Sequence, residues 1–280
     1  MKEKIAVIGG INMDILGTPS GIFSLRDSNI GHVSMQPGGV GRNIAAQAAA
    51  LNADVTFFTA FGNDAMAQTL MTACQRDGLD IRYAIKTDLP SSVYLAVHDE
   101  NGDMLVGIND MALSDALTPS ALAPLLPQIN QAQACVLDAN LPEETLAYLA
   151  PRITVPILLD PVSCQKAPRV APILRYLTAI KPNLYEAETL TMEVTPEKAA
   201  EALLAQGVKC VFLSLGAEGV YYADVDAQGY LRPNFVSTAA QTGAGDAMTA
   251  GLTVALCQGL GTKECAEAGM NAAKAKLFGL

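Results

Sequence analysis

Thr242-Gly243-Ala244-Gly245-Asp246 runs directly into Ala247-Met248-Thr249-Ala250-Gly251-Leu252-Thr253-Val254-Ala255-Leu256. Two glycines around one alanine permit a tight turn whose backbone amides point the same way. The apolar, proline-free run that follows reads as a helix over 245–258. The turn would therefore sit at a helix N-terminus, where unpaired N–H groups and the macrodipole favour negative charge. Such a turn suits the charge that develops on a transferring phosphoryl group. A carboxylate at Asp246 would stand within reach of an attacking hydroxyl. Taken alone, the same residues read equally well as a glycine turn with an aspartate helix cap.

Outward from this stretch, short β-like runs alternate with longer Ala/Leu-rich segments. Residues 5–8, 55–59, 134–137, 156–159, 177–180 and 209–214 read as strands. Residues 41–51, 64–77, 196–206 and 262–276 read as helices, with another opening at Pro142-Glu143-Glu144. This alternation predicts an α/β fold, a mostly parallel sheet covered by helices. Glycines or polar residues follow the strands: Gly9-Gly10, Asp138, Asp160, Lys181-Pro182-Asn183 and Gly216. Ligands bind at that edge of an open α/β sheet. Residues 11–36 and 91–109 lack a helical period. The second segment reads as a hairpin turning at Glu100-Asn101-Gly102-Asp103, since Asn-Gly is a strong hairpin signal. Both are expected to form a small β lid inserted into one domain spanning 1–280.

Composition narrows the classes. With 280 residues, half of them apolar, the chain can bury a sizeable core, and 16% charged residues argue against disorder. A formal charge of −10 with no Lys/Arg run argues against nucleic acid as a partner. An acidic chain that binds anions must build a local amide-lined or positive pocket against its own field. The six cysteines form no C-x-x-C pair and read as reduced thiols. Residues 5–8 are too short for a signal segment, and no run approaches the ~18 apolar residues of a membrane span. A soluble cytoplasmic protein is expected, with no membrane partner.

Other constellations lie at the predicted ligand edge. Gly9-Gly10-Ile11-Asn12-Met13-Asp14 follows the first strand, and Pro37-Gly38-Gly39-Val40-Gly41-Arg42-Asn43 precedes a helix. Asp14 and Asn43 are short polar side chains beside close-approach backbone, suited to vicinal hydroxyls of a sugar. They read also as a turn residue and a first-turn helix residue. Lys181-Pro182-Asn183-Leu184-Tyr185-Glu186 sets Asn183 and Glu186 three apart at a helix start, as oxygen ligands for hydrated Mg²⁺ or as a capping pair. Ser214-Leu215-Gly216-Ala217-Glu218-Gly219 suits a nucleotide-contacting turn or any strand–turn–strand connection. The P-loop, the G-x-G-x-x-G fingerprint and the G-x-S-x-G elbow are absent. His32 and His98 fall in the lid segments and read as surface or packing residues.

Together these motifs resemble the ribokinase-like (PfkB-type) carbohydrate and nucleoside kinases over nearly the whole chain. The resemblance implies a three-layer α/β/α core with a small β-sheet lid, ATP and Mg²⁺ as cosubstrates, and dimerisation through the lid. Carried over by position, Asn12, Asp14, Gly39, Gly41 and Asn43 would hold the sugar. Asn183 and Glu186 would organise Mg²⁺ and phosphates. Gly243, Ala244, Gly245 and Asp246 would form the anion hole and base. Thr242, Ser214, Gly216, Gly219 and Asn271 would lie along the nucleotide. Four stretches, Ile108–Ala112, Leu137–Pro142, Asp160–Ser163 and Lys181–Leu190, resemble the branch of the family that phosphorylates pseudouridine. That implies polar contacts to a uracil ring, for which Asn109, Asp110 and Lys166 are candidates. Ala239-Ala240-Gln241 stand where many relatives carry an acidic residue tied to a monovalent-cation loop, so K⁺ stays open. Relatives usually continue past the last helix, and a chain natively ending at Leu280 would be expected to bind ATP less well. Rival readings are a kinase for ribose, another nucleoside or a hexose phosphate, and a non-catalytic binder on the same fold. A phosphorylated acceptor would call for a cation facing the sugar, from Arg42 or Lys166. A pure binder would not need Asp246.

Overall fold

Lys-Ile-Ala-Val-Ile forms the first strand, β1 (Lys4–Ile8). Ile5 and Val7 enter one apolar cluster, Ala6 and Ile8 a second on the opposite side, as the two-residue period of a strand requires. A strand buried on both faces belongs at the centre of a parallel sheet. The computed structural model describes residues 2–233 and 243–279 and contains such a sheet.

The principal elements in chain order are β1, β2 (Asn12–Pro19), β3 (Gly31–Gly38), α1 (Val40–Ala50), β4 (Asp54–Phe58), α2 (Ala65–Arg76), β5 (Val93–His98), β6 (Met104–Asp110), β7 (Ala134–Asp138) and α3 (Glu143–Leu149). They continue with β8 (Ile157–Asp160), β9 (Ala179–Ile180), α4 (Leu184–Thr191), α5 (Pro196–Ala205), β10 (Cys210–Ser214), β11 (Val220–Ala223), β12 (Gln228–Leu231), α6 (Ala244–Cys257) and α7 (Thr262–Phe278). The large sheet runs β12-β11-β10-β9-β8-β7-β1-β4, parallel from β4 to β10 and antiparallel at the β11–β12 edge. Helices α1, α2, α6 and α7 pack on one face, and α3, α4 and α5 on the other. The expected three-layer α/β/α arrangement is therefore present. Phe57, Phe58 and Phe212 are fully buried, each worth about 1.5–3 kcal/mol of apolar transfer.

The second sheet, β3-β2-β5-β6, comes from the two segments without a helical period. Residues paired directly across strands share a face. One row is Gln36, Asp14, Tyr94 and Asn109. The rows on the opposite face are Met35, Ile15, Leu95 and Ile108, then Val33, Gly17, Val97 and Val106. One lid face thus carries polar groups, and the other is apolar and open, with Val33 74% and Ile108 59% exposed. The turn between β5 and β6 is longer than the sequence suggests. Asp99 and Asp103 still pair, and Gly102 takes φ 87°, so the loop is a turn closed by a left-handed glycine, not a two-residue Asn-Gly turn. Asp99 Oδ1 accepts from the amides of Asn101 and Asp103 and fixes this longer form.

Two further features position the site. β1 has β4 on one side and β7 on the other, although β4 precedes β7 in the chain, so a topological switch point lies between β1 and β7. Helices α6 and α7 meet through glycines. A Cβ on Gly251 would lie 2.7 Å from the Ala268 carbonyl oxygen, and one on Gly269 2.9 Å from Leu252 Cγ. The close approach locks the two helices together.

Candidate active site

The parallel strands deliver their last residues to one edge. β7 ends at Asp138 and β8 at Asp160, directly paired, and Lys181 follows β9 alongside. At the switch point Asp138 Oδ2 accepts from the amides of Gly10 (3.0 Å) and Gly41 (2.7 Å) and from Asn140 Nδ2 (3.0 Å). The carboxylate pins the loop after β1 to the start of α1. A Cβ on Gly9 would lie 2.5 Å from Asp138 Oδ2, which explains glycine there.

The glycine-rich run before α1 shapes a cradle. Gly39 has φ 98°, a conformation that resists a Cβ, and a Cβ on Gly38 would fall 2.3 Å from Asp14 Oδ2. Asp14 Oδ1 accepts from Asn12 Nδ2 at 2.6 Å. Burial raises the Asp14 pKa, while the bond from Asn12 and the charge of Arg42 oppose the rise. Asn43, in the first turn of α1, donates from Nδ2 to Asp246 Oδ2 at 2.9 Å and accepts at Oδ1 from Arg42 Nη1 at 3.2 Å. Arg42 is itself ion-paired to Asp77 just beyond α2. A chain Asp77–Arg42–Asn43 thus orients the amide that meets Asp246.

Gly243 takes φ 83° as the residue opening α6 and supplies no side-chain cap. The amides of 243–246 accordingly have no intrahelical acceptor, and they sit at the positive end of a 14-residue helix. The expected helix start shifts by one residue, which sets Asp246 in the first turn. That location alone would lower its pKa, an effect of about 0.3–1 kcal/mol. Burial wins. It raises Asp246 to about 7, reinforced by the charge of Asp160 and opposed by Asn43 and Lys181. Such a group suits proton acceptance near neutrality.

Lys181 Nζ lies 3.1 Å from Asp160 Oδ2, and Thr249 Oγ1 donates to the same oxygen at 3.0 Å. Burial alone would lower the Lys181 pKa, but the charges of Asp160, Glu186 and Asp246 outweigh it and hold it raised. A Cβ on Gly245 would lie 3.3 Å from Lys181 Nζ, so the ammonium underlies the glycine turn. Asn183 and Glu186 form a reciprocal capping box at 2.9 Å each way, which fixes both side chains at the start of α4. Burial and the charge of Asp160 raise the Glu186 pKa.

The remaining expected residues are more scattered. Lys166 is half-buried and donates to Asn140, which in turn holds Asp138, and burial lowers its pKa. It is a fixed neighbour of the cradle, not a solvated surface lysine. Asn109 is exposed on the outer lid strand, in the same row as Asp14. Asp110 pairs with Val93 on the opposite lid face. Ser214 donates to the Pro182 carbonyl at 3.3 Å. Gly219 has φ 101° and approaches the Leu231 backbone so closely that a Cβ would fall 2.0 Å from its oxygen, and Gly216 is also left-handed. Asn271 is exposed on α7. Thr242, and residues 239–241 on which the cation question turns, lie outside the described residues. Asp138, Asp160 and Lys181 are central here, yet sequence reasoning did not select them. Their signal was a charged residue closing, or directly following, an apolar strand.

The chain can thus hold an anion on four amides, keep a titratable carboxyl beside it, and present a hydroxyl-binding cradle to that carboxyl. Residues 2–278 match the pfkB family carbohydrate kinase. The chain belongs to the PfkB family of carbohydrate kinases. Pseudouridine kinase of Escherichia coli K12 is 36% identical over 92% of this chain and 85% of its own length. A ribokinase of Haemophilus influenzae is 27% identical over 92% of this chain and 87% of its own. Among solved structures, a ribokinase from Thermotoga maritima superposes with a TM-score of 0.87 at 26% identity, covering 98% of this chain and 92% of the other. As a PfkB kinase the chain is a phosphotransferase with a hydroxyl acceptor, acting on a sugar or nucleoside. No helix among the described residues is long and apolar enough to cross a membrane.

Proposed function

We propose that this PfkB kinase phosphorylates the 5′-hydroxyl of a nucleoside, with pseudouridine as the preferred acceptor and Asp246 as the base. The observation that carries the reading is the hydrogen bond between Asn43 and Asp246, which joins the sugar cradle to the anion-binding turn. The acceptor ribose lies on Asn12, Asp14, Gly39, Gly41 and Asn43. Asp246 takes the hydroxyl proton as the acceptor oxygen bonds to the γ-phosphorus and the bond to the β,γ-bridging oxygen breaks, releasing ADP. The amides of 243–246 receive the charge spread over the transferring group. Lys181 keeps the turn from facing Asp160 and Glu186 uncompensated. The lid, closing its polar face over the cradle, excludes water that would otherwise accept the phosphoryl group.

Two features support an unphosphorylated acceptor. Arg42 is ion-paired to Asp77 and donates to Asn43, so its charge is already offset and not free for an acceptor phosphate. The 36% identity to a pseudouridine kinase favours the C-linked nucleoside over ribose. Lys166 and Asn109 are the residues we assign to the base, from the cradle side and the lid side respectively.

Mg²⁺ fits the donor set. No cluster of three or more His, Cys, Asp or Glu among the described residues forms a metal cage. Mg²⁺ does not require one, since it keeps its waters and binds phosphates with one or two carboxylates. Glu186, one oxygen of which is free of the capping box, would hold it with Asn183 through water, where it neutralises phosphate charge. The open apolar lid face, with Val33, Met35, Val106 and Ile108, suits burial against a second lid in a homodimer.

Release of ADP measured side by side with pseudouridine, uridine, ribose and adenosine tests the assignment. Pseudouridine should exceed uridine well beyond tenfold in kcat/KM. Ribose as the best acceptor would overturn the nucleoside reading and leave the phosphotransferase intact.

A further inference from the structure

Two lysines bracket the glycine turn. Lys181 comes from beneath, and its charge is already spent on Asp160, with Glu186 and Asp246 close enough to act on it. Asp138 adds another negative group that acts on Asp246. Three carboxyl groups therefore act on one buried cation where polyphosphate must approach. The second lysine is Lys276, in the last turn of α7. A Cβ built on Gly243 would lie 3.3 Å from Lys276 Cε, so this side chain lies across the outer side of the turn. Lys276 is exposed and has no hydrogen-bond or ion-pair partner among the described residues.

We propose that Lys276 is a phosphate-contacting residue of the nucleotide site, its ammonium meeting an oxygen of the group held on the amides of 243–246. This rests on the reading that those amides receive the phosphates of ATP. Three features support it. The Lys276 side chain passes beside the residue that opens the amide turn, and a lysine binds phosphate as a mobile point charge. The glycine seam fixes α7 against α6, so the Lys276 backbone cannot drift from the turn. Beneath the turn the Lys181 charge is already offset by Asp160, Glu186 and Asp246, so a second cation at the turn has negative charge left to act on. Lys276 also sits in the last turn of α7, where a lysine stabilises the negative end of a helix. A residue serving only that purpose would affect melting and leave nucleotide affinity alone.

The test compares wild type, K276Q and K276R in calorimetric titrations with the magnesium complex of β,γ-imido-ATP and, separately, with adenosine. Titrations at two salt concentrations and thermal melts accompany them. The K276Q Kd for the ATP analogue should rise roughly tenfold, the effect of losing a partly screened charge-assisted contact. Its Kd for adenosine should not change, and its salt dependence for the analogue should flatten. K276R should stay within about threefold of wild type, since charge is what the contact needs. Steady-state assays should show the loss in KM for ATP and not in KM for the acceptor. If wild type binds the analogue and K276Q binds it equally well, the Lys276 contact is overturned while the nucleotide turn stands. If wild type itself binds no analogue, the reading of the turn falls and takes Lys276 with it.

Discussion

Replacing Asp246 by Asn should make the protein more stable while nearly abolishing its turnover. The carboxyl is held at about 7 instead of 3.8, chiefly by burial and then by the charge of Asp160. A rise of that size corresponds to about 4 kcal/mol of folding free energy lost once the group must ionise. Asp246 is half-buried and opens to the cleft, so water screens part of this, and about 2 kcal/mol is the expected gain. Asn is close in shape, carries no charge and can still accept from Asn43. The sign follows from the raised pKa. The bound proton favours the fold at low pH, and that contribution disappears as pH climbs from 3.8 toward 7. Urea melts of both proteins at pH 5, 6, 7 and 8 should therefore show the advantage of D246N growing up to about pH 7 and then levelling. The turnover number should fall roughly 10²–10⁴-fold, as for loss of a general base. A difference in stability that is absent, reversed or flat with pH would refute the burial argument. Retained turnover would remove Asp246 from the base position.

Other expectations follow from the same contacts. In wild type, kcat/KM should rise with pH through about 7 as Asp246 loses its proton. Asn43→Ala should move that inflection upward, because the Asn43 hydrogen bond holds the pKa down, and should cut kcat/KM by roughly tenfold or more in the pH–rate profile. Lys181→Met should destabilise by about 3–5 kcal/mol in denaturant titrations, since it strands Asp160 beside Glu186. Gly41→Ala should weaken acceptor binding and stability together, because its Cβ would fall 2.8 Å from Gly9 Cα and 2.9 Å from Asp138 Oδ2. Ile108→Glu should yield a monomer in light scattering if the apolar lid face is a dimer contact.

The strand–helix alternation was legible because the β runs of the large sheet are mostly apolar and most are closed by glycine or a charged residue. Asn43 and Asp246 were legible as types, yet their meeting at 2.9 Å depends on α1 and α6 lying side by side, which no local pattern encodes. Asp138 and Asp160 were legible as residues closing strands at the ligand edge, but not in their roles. A single aspartate after an apolar run looks like a strand terminator, and only the register shows that the two are directly paired neighbours. Residues 11–36 were legible as a lid segment, but the individual strands β2 and β3 were not, because part of their apolar row stays exposed and gives no buried side to read. The capping box of Asn183 and Glu186 fulfilled the structural reading of that pair without displacing the other, since one Glu186 oxygen is left over.

The glycine contacts between the last two helices tie chemistry to residues that never meet a ligand. A methyl group at position 251 or 269 would wedge the helices apart, and the displacement would be felt about two turns away, where the amides of 243–246 must hold their aim. A survey of disabling substitutions in this kinase would therefore return hits along a remote seam, and reading those as contact residues would misplace the nucleotide. Breeding a more heat-resistant variant by the usual exchange of helical glycine for alanine would fail at these two positions for the same reason.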